Sequence, residues 1–252
     1  MYIKMQTTQI NENKIMLNDL SIVDLLKNSL KTYNEVNLKV TRDYIHFYGL
    51  DPANVSLLSL KIFKANCVEY GIGKDFEYSL NLQDLKDFLK SVKKTDVIYL
   101  NFDYNEIDNG ILDITLNDGT LKRDFRIRLT EPRTTNKEPT LSYNTIVELD
   151  NKTYLEALKT LISKDNTFID FDLNKDGLTL SNETNKANIL IEQYNGAYSK
   201  SRYSVEYLKN FKIKGFEKVR LSFGDTFPLK IEYSLRDRYE YYNVLAPRVV
   251  GD

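Results

Sequence analysis

The sequence predicts an α+β protein with antiparallel sheets, built as two similar domains. Four segments carry apolar residues at helical spacing, and the stretches between them alternate with period two. Clusters of Asn, Asp and Gly punctuate the alternating runs as hairpin turns do. The order of elements then occurs twice, at offsets of about 121 to 133 residues, close to half of the 252-residue chain.

In chain order, Ile22, Leu25, Leu26, Ser29, Leu30 and Tyr33 share one stripe while Asp24, Lys27 and Lys31 lie off it, which predicts a first amphipathic helix. Residues 81–94 predict a second, burying Leu82, Leu85, Phe88, Leu89 and Val92. Residues 151–164 predict a third, capped by Asn151 and burying Tyr154, Leu155, Leu158, Leu161 and Ile162. Residues 201–214 predict a fourth through Tyr203, Val205, Leu208 and Phe211. Strands are read around Val36-Leu38-Val40, Ile45-Phe47, Val55-Leu57, Val97-Tyr99, Ile111-Ile114, Phe125-Ile127, Phe168, Val219-Leu221 and Ile231-Tyr233. Turns are expected at Asp108-Asn109-Gly110, Asn117-Asp118-Gly119 and Asn174-Lys175-Asp176-Gly177.

The duplication is carried by named segments. Leu85-Lys86-Asp87-Phe88 followed by residues 97–102 is echoed by Leu208-Lys209-Asn210-Phe211 followed by residues 219–223. Residues 36–40 followed by 44–47 are echoed by 169–173 followed by 177–180. Between the halves, residues 128–140 hold Pro132, Pro139 and a polar Thr134-Thr135-Asn136-Lys137 stretch, the composition of a connecting loop. The expected domains are therefore 14–127 and 141–252.

With 42% hydrophobic and 28% charged residues the chain suits a globular protein. Lys plus Arg (35) nearly balance Asp plus Glu (36), so an anionic partner must be met by a local patch. One histidine, His46, and one cysteine, Cys67, exclude intrachain disulfides and Cys/His zinc sites. The first residues carry no signal-peptide stretch and no run reaches membrane length, which predicts an intracellular protein with no membrane partner.

Charge is segregated by element. The four helical segments hold Lys27, Lys31, Lys86, Lys90, Lys93, Lys94, Lys152, Lys159, Lys164, Arg202, Lys209, Lys212 and Lys214 against Asp24, Asp84, Asp87, Glu156 and Glu206. If the helices share one side of the sheets, that side is a cationic face on an otherwise acidic molecule. Such a face suits the phosphate backbone of double-stranded DNA without reading sequence, the plain alternative being solvated helix surface.

Other motifs carry no chemistry. Asp172-x-Asn174-x-Asp176-Gly177 with Glu183 matches a calcium-loop pattern, but alternating runs flank it where that motif requires helices, so a hairpin turn is expected. Gly71-Ile72-Gly73-Lys74 lacks P-loop spacing. His46 and Cys67 read as structural, and Asp170 and Asp172 as solvent-facing carboxylates. No catalytic constellation, metal site or cofactor site is expected.

Two stretches, residues 49–60 (Gly-Leu-Asp-Pro-Ala-Asn-Val-Ser-Leu-Leu-Ser-Leu) and Leu245-Ala246-Pro247-Arg248, resemble the proliferating cell nuclear antigen (PCNA) sliding clamps. Residues 81–86 and 223–233 resemble the archaeal branch, and the likeness runs from about Lys14 onward, leaving 1–13 as an N-terminal extension. The resemblance implies the DNA clamp fold: two similar domains per chain, trimerising head to tail into a ring with helices lining the hole and sheets outside. It implies a non-catalytic role on DNA, tethering DNA polymerase, the clamp loader and other proteins that carry a PCNA-interacting peptide. It also implies a nucleoid-associated cytoplasmic location in an archaeal cell or archaeal virus, as a homotrimer or one subunit of a heterotrimer. An alternative is a clamp-fold adaptor that binds peptides without encircling DNA. Carried over, the peptide pocket comprises Leu50, Asn54, Val55, Leu57, Pro228, Val244, Leu245, Ala246, Pro247 and Arg248, with Pro139 and Tyr143 from the linker side. The subunit edges correspond to residues 121–129 and 187–193, with Arg123, Phe125, Ile127, Ile189 and Ile191 at the interface. The polar connecting loop, Thr134 to Glu138, and Asn54 depart from the family pattern, which carries apolar and basic residues there.

Overall fold

The computed structural model describes residues 13–103, 110–134, 138–191, 194–235 and 238–248. The first half runs β1 (Lys14–Leu17), α1 (Ser21–Ser29), β2 (Glu35–Val40), β3 (Tyr44–Leu50), β4 (Ser56–Phe63), β5 (Glu69–Gly71), β6 (Phe76–Asn81), α2 (Lys86–Ser91), β7 (Val97–Asp103), β8 (Gly110–Asn117) and β9 (Lys122–Leu129). The second half repeats that order: β10 (Thr145–Asp150), α3 (Asn151–Leu161), β11 (Phe168–Asn174), β12 (Gly177–Ser181), β13 (Lys186–Ile189), β14 (Tyr194–Gly196), β15 (Ser199–Ser204), α4 (Val205–Leu208), β16 (Lys218–Phe223), β17 (Leu229–Leu235) and β18 (Tyr239–Leu245).

The sheets repeat as well. Domain one forms a five-stranded sheet, β5-β1-β7-β8-β9, and domain two forms its counterpart, β14-β10-β16-β17-β18. Each domain also has a four-stranded unit, β4-β3-β2-β6 in the first and β13-β12-β11-β15 in the second. β18 pairs antiparallel with β4, from Tyr239 opposite Ile62 to Leu245 opposite Ser56, fusing two of these units into one nine-stranded sheet across the domains. The other two units stay apart, so β9 and β13 are free edges.

Alternation explains the burial. Leu58, Leu60 and Ile62 of β4 and Tyr239, Tyr241 and Leu245 of β18 enter the core under the helices, while Ser59, Lys61, Glu240 and Tyr242 take the outer face. The buried tyrosines at this joint keep their hydroxyls bonded, as buried polar groups must. Tyr33 Oη lies 2.5 Å from Ser56 Oγ and accepts from Asn243 Nδ2 at 2.9 Å; Asn66 Nδ2 donates to Tyr239 Oη at 2.7 Å.

The helices are shorter than their periodicity predicts. α2 covers only Lys86–Ser91, because Asn81 closes β6 and Lys93 and Lys94 follow in a loop. α4 covers only Val205–Leu208, because residues 199–204 belong to β15, where Tyr203 supplies a buried strand position. The cap of α3 is Asp150, whose carboxylate accepts from Thr153 N at 2.8 Å; Asn151 is buried and its amide donates to the Ile213 and Phe216 carbonyls. Replacing Asp150 with Ala is expected to cost about 1 kcal/mol, measured by urea unfolding. β9 runs to Leu129 and Thr130 bridges Ser79, so the boundary expected at 127 falls inside a strand. In β8, Ile111 faces outward and Leu112 and Ile114 inward, so the two isoleucines read as one alternation lie on opposite faces.

The turn at 174–177 is a hairpin: Asn174 pairs with Gly177, and Asn174 Oδ1 accepts from Asp176 N at 2.9 Å. Gly177 has φ 117°, and a Cβ there would lie 2.5 Å from the Ile189 carbonyl oxygen, so glycine is required. The turn at 117–119 also forms, with Gly119 at φ 87°. Residues 1–12, Asp108 and Asn109, residues 135–137 of the connecting loop and Gln193 lie outside the described residues. No helix among the described residues is long and apolar enough to cross a membrane.

Candidate nucleic-acid and partner interfaces

The helices lie side by side on one face of the sheets. α1 packs on α2; Asn210, just past α4, donates to Thr32 Oγ1 after α1 at 3.2 Å; residues 162–167 after α3 face α4 across a cleft. Their apolar sides, such as Ile22, Leu25 and Leu26 of α1 or Tyr154, Leu158 and Leu161 of α3, are in the core. Lys27, Lys31, Lys86, Lys90, Lys93, Lys94, Lys152, Lys159, Lys209 and Lys214 are consequently exposed, and Lys212 is half-buried. Two have acidic partners, Lys90 with Asp87 at 3.7 Å and Lys93 with Asp118 at 3.3 Å.

Arg202 does not belong to this row. It sits on β15 with its side chain on the outer face, forked onto Asp170 at 2.7 and 2.9 Å and stacked on Phe168 at 3.6 Å. Burial of Ser201 and Tyr203 on the other face fixes that orientation. Asp170 is thereby an ion-pair partner, and Asp172 faces Lys200 at 3.8 Å.

The peptide-pocket residues separate into three groups. Leu50, Leu57 and Val244 stand in one row across β3, β4 and β18 on the outer face, since Leu50 pairs with Leu57 and Leu57 with Val244. Val55 and Ala246 adjoin the row through the Ala246 N–H, which donates to the Val55 carbonyl at 2.8 Å. The loop before β4 is held by buried Asp51, whose carboxylate accepts from Val55 N at 2.7 Å, Ser56 N at 2.6 Å and Tyr207 Oη of α4 at 2.7 Å. This places exposed Asn54 at φ 56° beside Val55. Pro228 is half-buried before β17, and Tyr143 packs edge-on to Phe227 at 5.6 Å. Pro139 is exposed and Pro247 half-buried. Leu245 is a correction: it alternates to the inner face and lies in the core. Arg248 is another, for its guanidinium donates to the Thr167 carbonyl at 3.2 Å in a cleft of about 730 Å³ shared with Lys164 and Lys209.

At the free edges, Ile127 and Ile189 point into the core and Phe125 packs on Phe88. Arg123 is engaged within the chain, 2.5 Å from Asp96 Oδ1 and bonded to the Ser91 carbonyl. Ile191 is half-buried beyond β13. Within the edges expected at 121–129 and 187–193, the exposed large apolar residues are Leu121, 50% exposed before β9, and Leu190, 87% exposed after β13, neither of them singled out as an interface candidate. Leu190 occupies the polar phase of the alternation Ala187-Ile189-Ile191, an anomaly that signals a surface to be covered.

His46 and the connecting loop meet on the outer face. Buried His46 stacks on Tyr48 at 4.7 Å, and its Nε2 lies 2.8 Å from Ser59 Oγ and 3.3 Å from Glu138 Oε1. Tyr242 Oη donates to Glu138 at 2.6 Å. The His46 hydrogen bond, aided by the Tyr242 and Ser59 hydroxyls and opposed by burial, lowers the Glu138 carboxyl from 4.5 to about 2. A depressed carboxyl holds its contacts fully above its free value and loses them as pH falls through its folded one. Docking of residue 138 is therefore expected to persist at pH 5 and to be lost progressively from about 4.5 down to about 2, as followed by the Glu138 carboxyl resonance. Cys67 is inert by comparison, its thiol pushed up to about 12 by burial.

Two kinds of similarity accompany this geometry. The family model for "Proliferating cell nuclear antigen, N-terminal domain" matches residues 10–131, the whole of the first repeat. The chain belongs to the PCNA-type sliding clamps. A DNA polymerase sliding clamp of Thermococcus onnurineus is 29% identical over 240 residues, covering 90% of this chain and 94% of that one. One from Pyrococcus furiosus is 29% identical over 238 residues, covering 89% and 93%. Among solved structures, the PCNA2-PCNA3 complex of Sulfolobus tokodaii superposes with a TM-score of 0.81 at 22% identity, over 93% of this chain and 99% of that one. A. fulgidus PCNA bound to the C-terminal region of FEN-1 superposes with a TM-score of 0.78 at 18% identity, over 95% and 99%. The clamp fold is thus shared along nearly the full length of the chain.

Proposed function

We propose that this clamp closes into a trimeric ring around duplex DNA and tethers DNA polymerase, the clamp loader and repair proteins by a docking peptide. The observation that carries the reading is the pairing left unfinished by the duplication. Inside the chain, the last strand of domain two meets β4 of domain one; the last strand of domain one, β9, and the counterpart of β4, β13, remain free. Repeating the internal joint between copies pairs β9 with β13 of the next copy and removes both edges when the ring closes.

The internal joint also supplies a register. Following the ladders from Leu17–Ile98 and Leu149–Val219 outward matches Ile127 of β9 to Leu245 of β18, and Leu178–Ile189 against Ile45–Ile62 matches β13 to β4, which sets Leu121 opposite Ile189 and Arg123 opposite Ala187 of the next copy. Asn188 then lies opposite Lys122, and Lys186 opposite Asp124, an ion pair across the seam. The exposed leucines become covered, in keeping with their place on otherwise polar edges.

With every domain placed alike, the helix row lines the hole and the lysines face the phosphates. Many weak contacts allow sliding while topology prevents loss. The outer row Leu50, Leu57 and Val244, with Val55 and Ala246, receives the apolar anchors of docking peptides, whose burial supplies most of the affinity. No catalytic step is part of this reading, and it places the protein in the cytoplasm at the nucleoid.

The test is topological. Clamps that thread onto linear duplex are expected to stay through gel filtration only when protein blocks are then attached at both DNA ends. Retention that ignores the ends would favour a peptide-binding adaptor.

A further inference from the structure

The connecting loop of this clamp is polar, and so is the sheet face beneath it. On the entry side, Asn37 of β2, 1% exposed, holds the Arg133 backbone with both ends of its side-chain amide: Oδ1 accepts the Arg133 N–H at 3.0 Å, and Nδ2 donates to the Arg133 carbonyl at 3.0 Å and to Glu77 Oε1 at 3.1 Å. The Arg133 guanidinium pairs with Glu35. On the exit side, Glu138 is held by Tyr242 of β18 and His46 of β3. The loop is therefore anchored by side chains of β2, β3 and β18, and the last two strands also carry the apolar row.

Tyr242 and Val244 alternate onto the same face of β18, two residues apart, and Ser59 and Leu57 do the same on β4. Glu138 sits over the Tyr242–Ser59 position, and Pro139 follows it in the chain. Leu57 and Val244 are 3% and 8% exposed although neither belongs to the main core cluster. The polar anchor and the apolar row are thus adjacent steps along the same two strands.

We infer that Glu138 is a positioning residue for partner docking: its contacts with Tyr242 and His46 fix the connector-side wall of the peptide pocket, replacing the apolar packing that a hydrophobic connector would give. This rests on the docking-peptide reading above. A fixed wall spares the partner the entropy of ordering it, so its release weakens binding without removing any direct contact. Tyr242 and His46 hold one carboxylate oxygen, which a glutamine side-chain oxygen can replace as acceptor.

The test uses the full chain and a synthetic peptide with one aliphatic and two aromatic anchors, followed by fluorescence anisotropy. Glu138→Ala is expected to raise Kd about tenfold, as for loss of a hydrogen bond to a charged group, and Glu138→Gln to stay within about threefold of the parent. Amide exchange should quicken at residues 138–144 in Glu138→Ala, with β4 and β18 unchanged. A parent protein that fails to bind the peptide would refute the docking reading itself. A parent that binds, with Glu138→Ala equal to it or tighter, would overturn the positioning role, and tighter binding would mark the loop as a cover over the pocket.

Discussion

Reversing Lys86, Lys90, Lys209 and Lys212 to Glu is expected to abolish retention on end-blocked duplex while leaving assembly intact. All four lie in the helix layer; Lys86, Lys90 and Lys209 are exposed and Lys212 is half-buried, so the substitutions disturb no core side chain. Each lysine that neutralises a phosphate contributes about 0.9 to the slope of log K against log salt, and each reversal replaces an attraction with a repulsion. Flattening of that slope, measured by anisotropy of labelled duplex between low and moderate salt, is the expected signature. A variant that keeps parental salt dependence would mean that the helix row does not face DNA. Arg202→Glu serves as the contrast. Its cation is committed to Asp170 on the opposite face, so the change should destabilise β15 against β11 and leave the salt slope unaltered.

The second large effect concerns the ring edges. Lys186→Asp with Asn188→Lys places like charges opposite Asp124 and Lys122 of the neighbouring copy in the register derived from the internal joint. Lys186 and Asn188 are both exposed, so the isolated chain should fold as before, with unchanged unfolding by urea. Repeated at every seam, the repulsion is expected to shift a trimer to monomers at micromolar concentration, read by sedimentation velocity. Adding Asp124→Lys and Lys122→Glu restores opposite charges and is expected to bring the trimer back. Rescue of this kind depends on register and would not follow from general destabilisation. A variant that remains trimeric would place the seam elsewhere.

The duplication was legible in sequence because it lives in apolar spacing: Leu85 and Phe88 against Leu208 and Phe211 set the same core positions twice. Helix lengths were not. Tyr203 and Val205 satisfy helical spacing equally as the end of a strand and the start of a helix, and only pairing of β15 with β11 separates the two. That ambiguity moved Arg202 to the wrong face. Motif resemblance placed Leu245 among the pocket residues, although its alternation phase relative to Tyr242 and Val244 turns it inward. The Glu138 contacts were hidden for another reason: they join β3, β4, β18 and the connecting loop, whose proximity is set by tertiary pairing and leaves no local pattern.

Sedimentation equilibrium of the unmodified protein, alone and across a range of concentrations, tests the central claim most directly. The free edges at β9 and β13 predict self-association to a mass of three times 29.4 kDa. A mass that stays at 29.4 kDa at every concentration would contradict closure by copies of this chain.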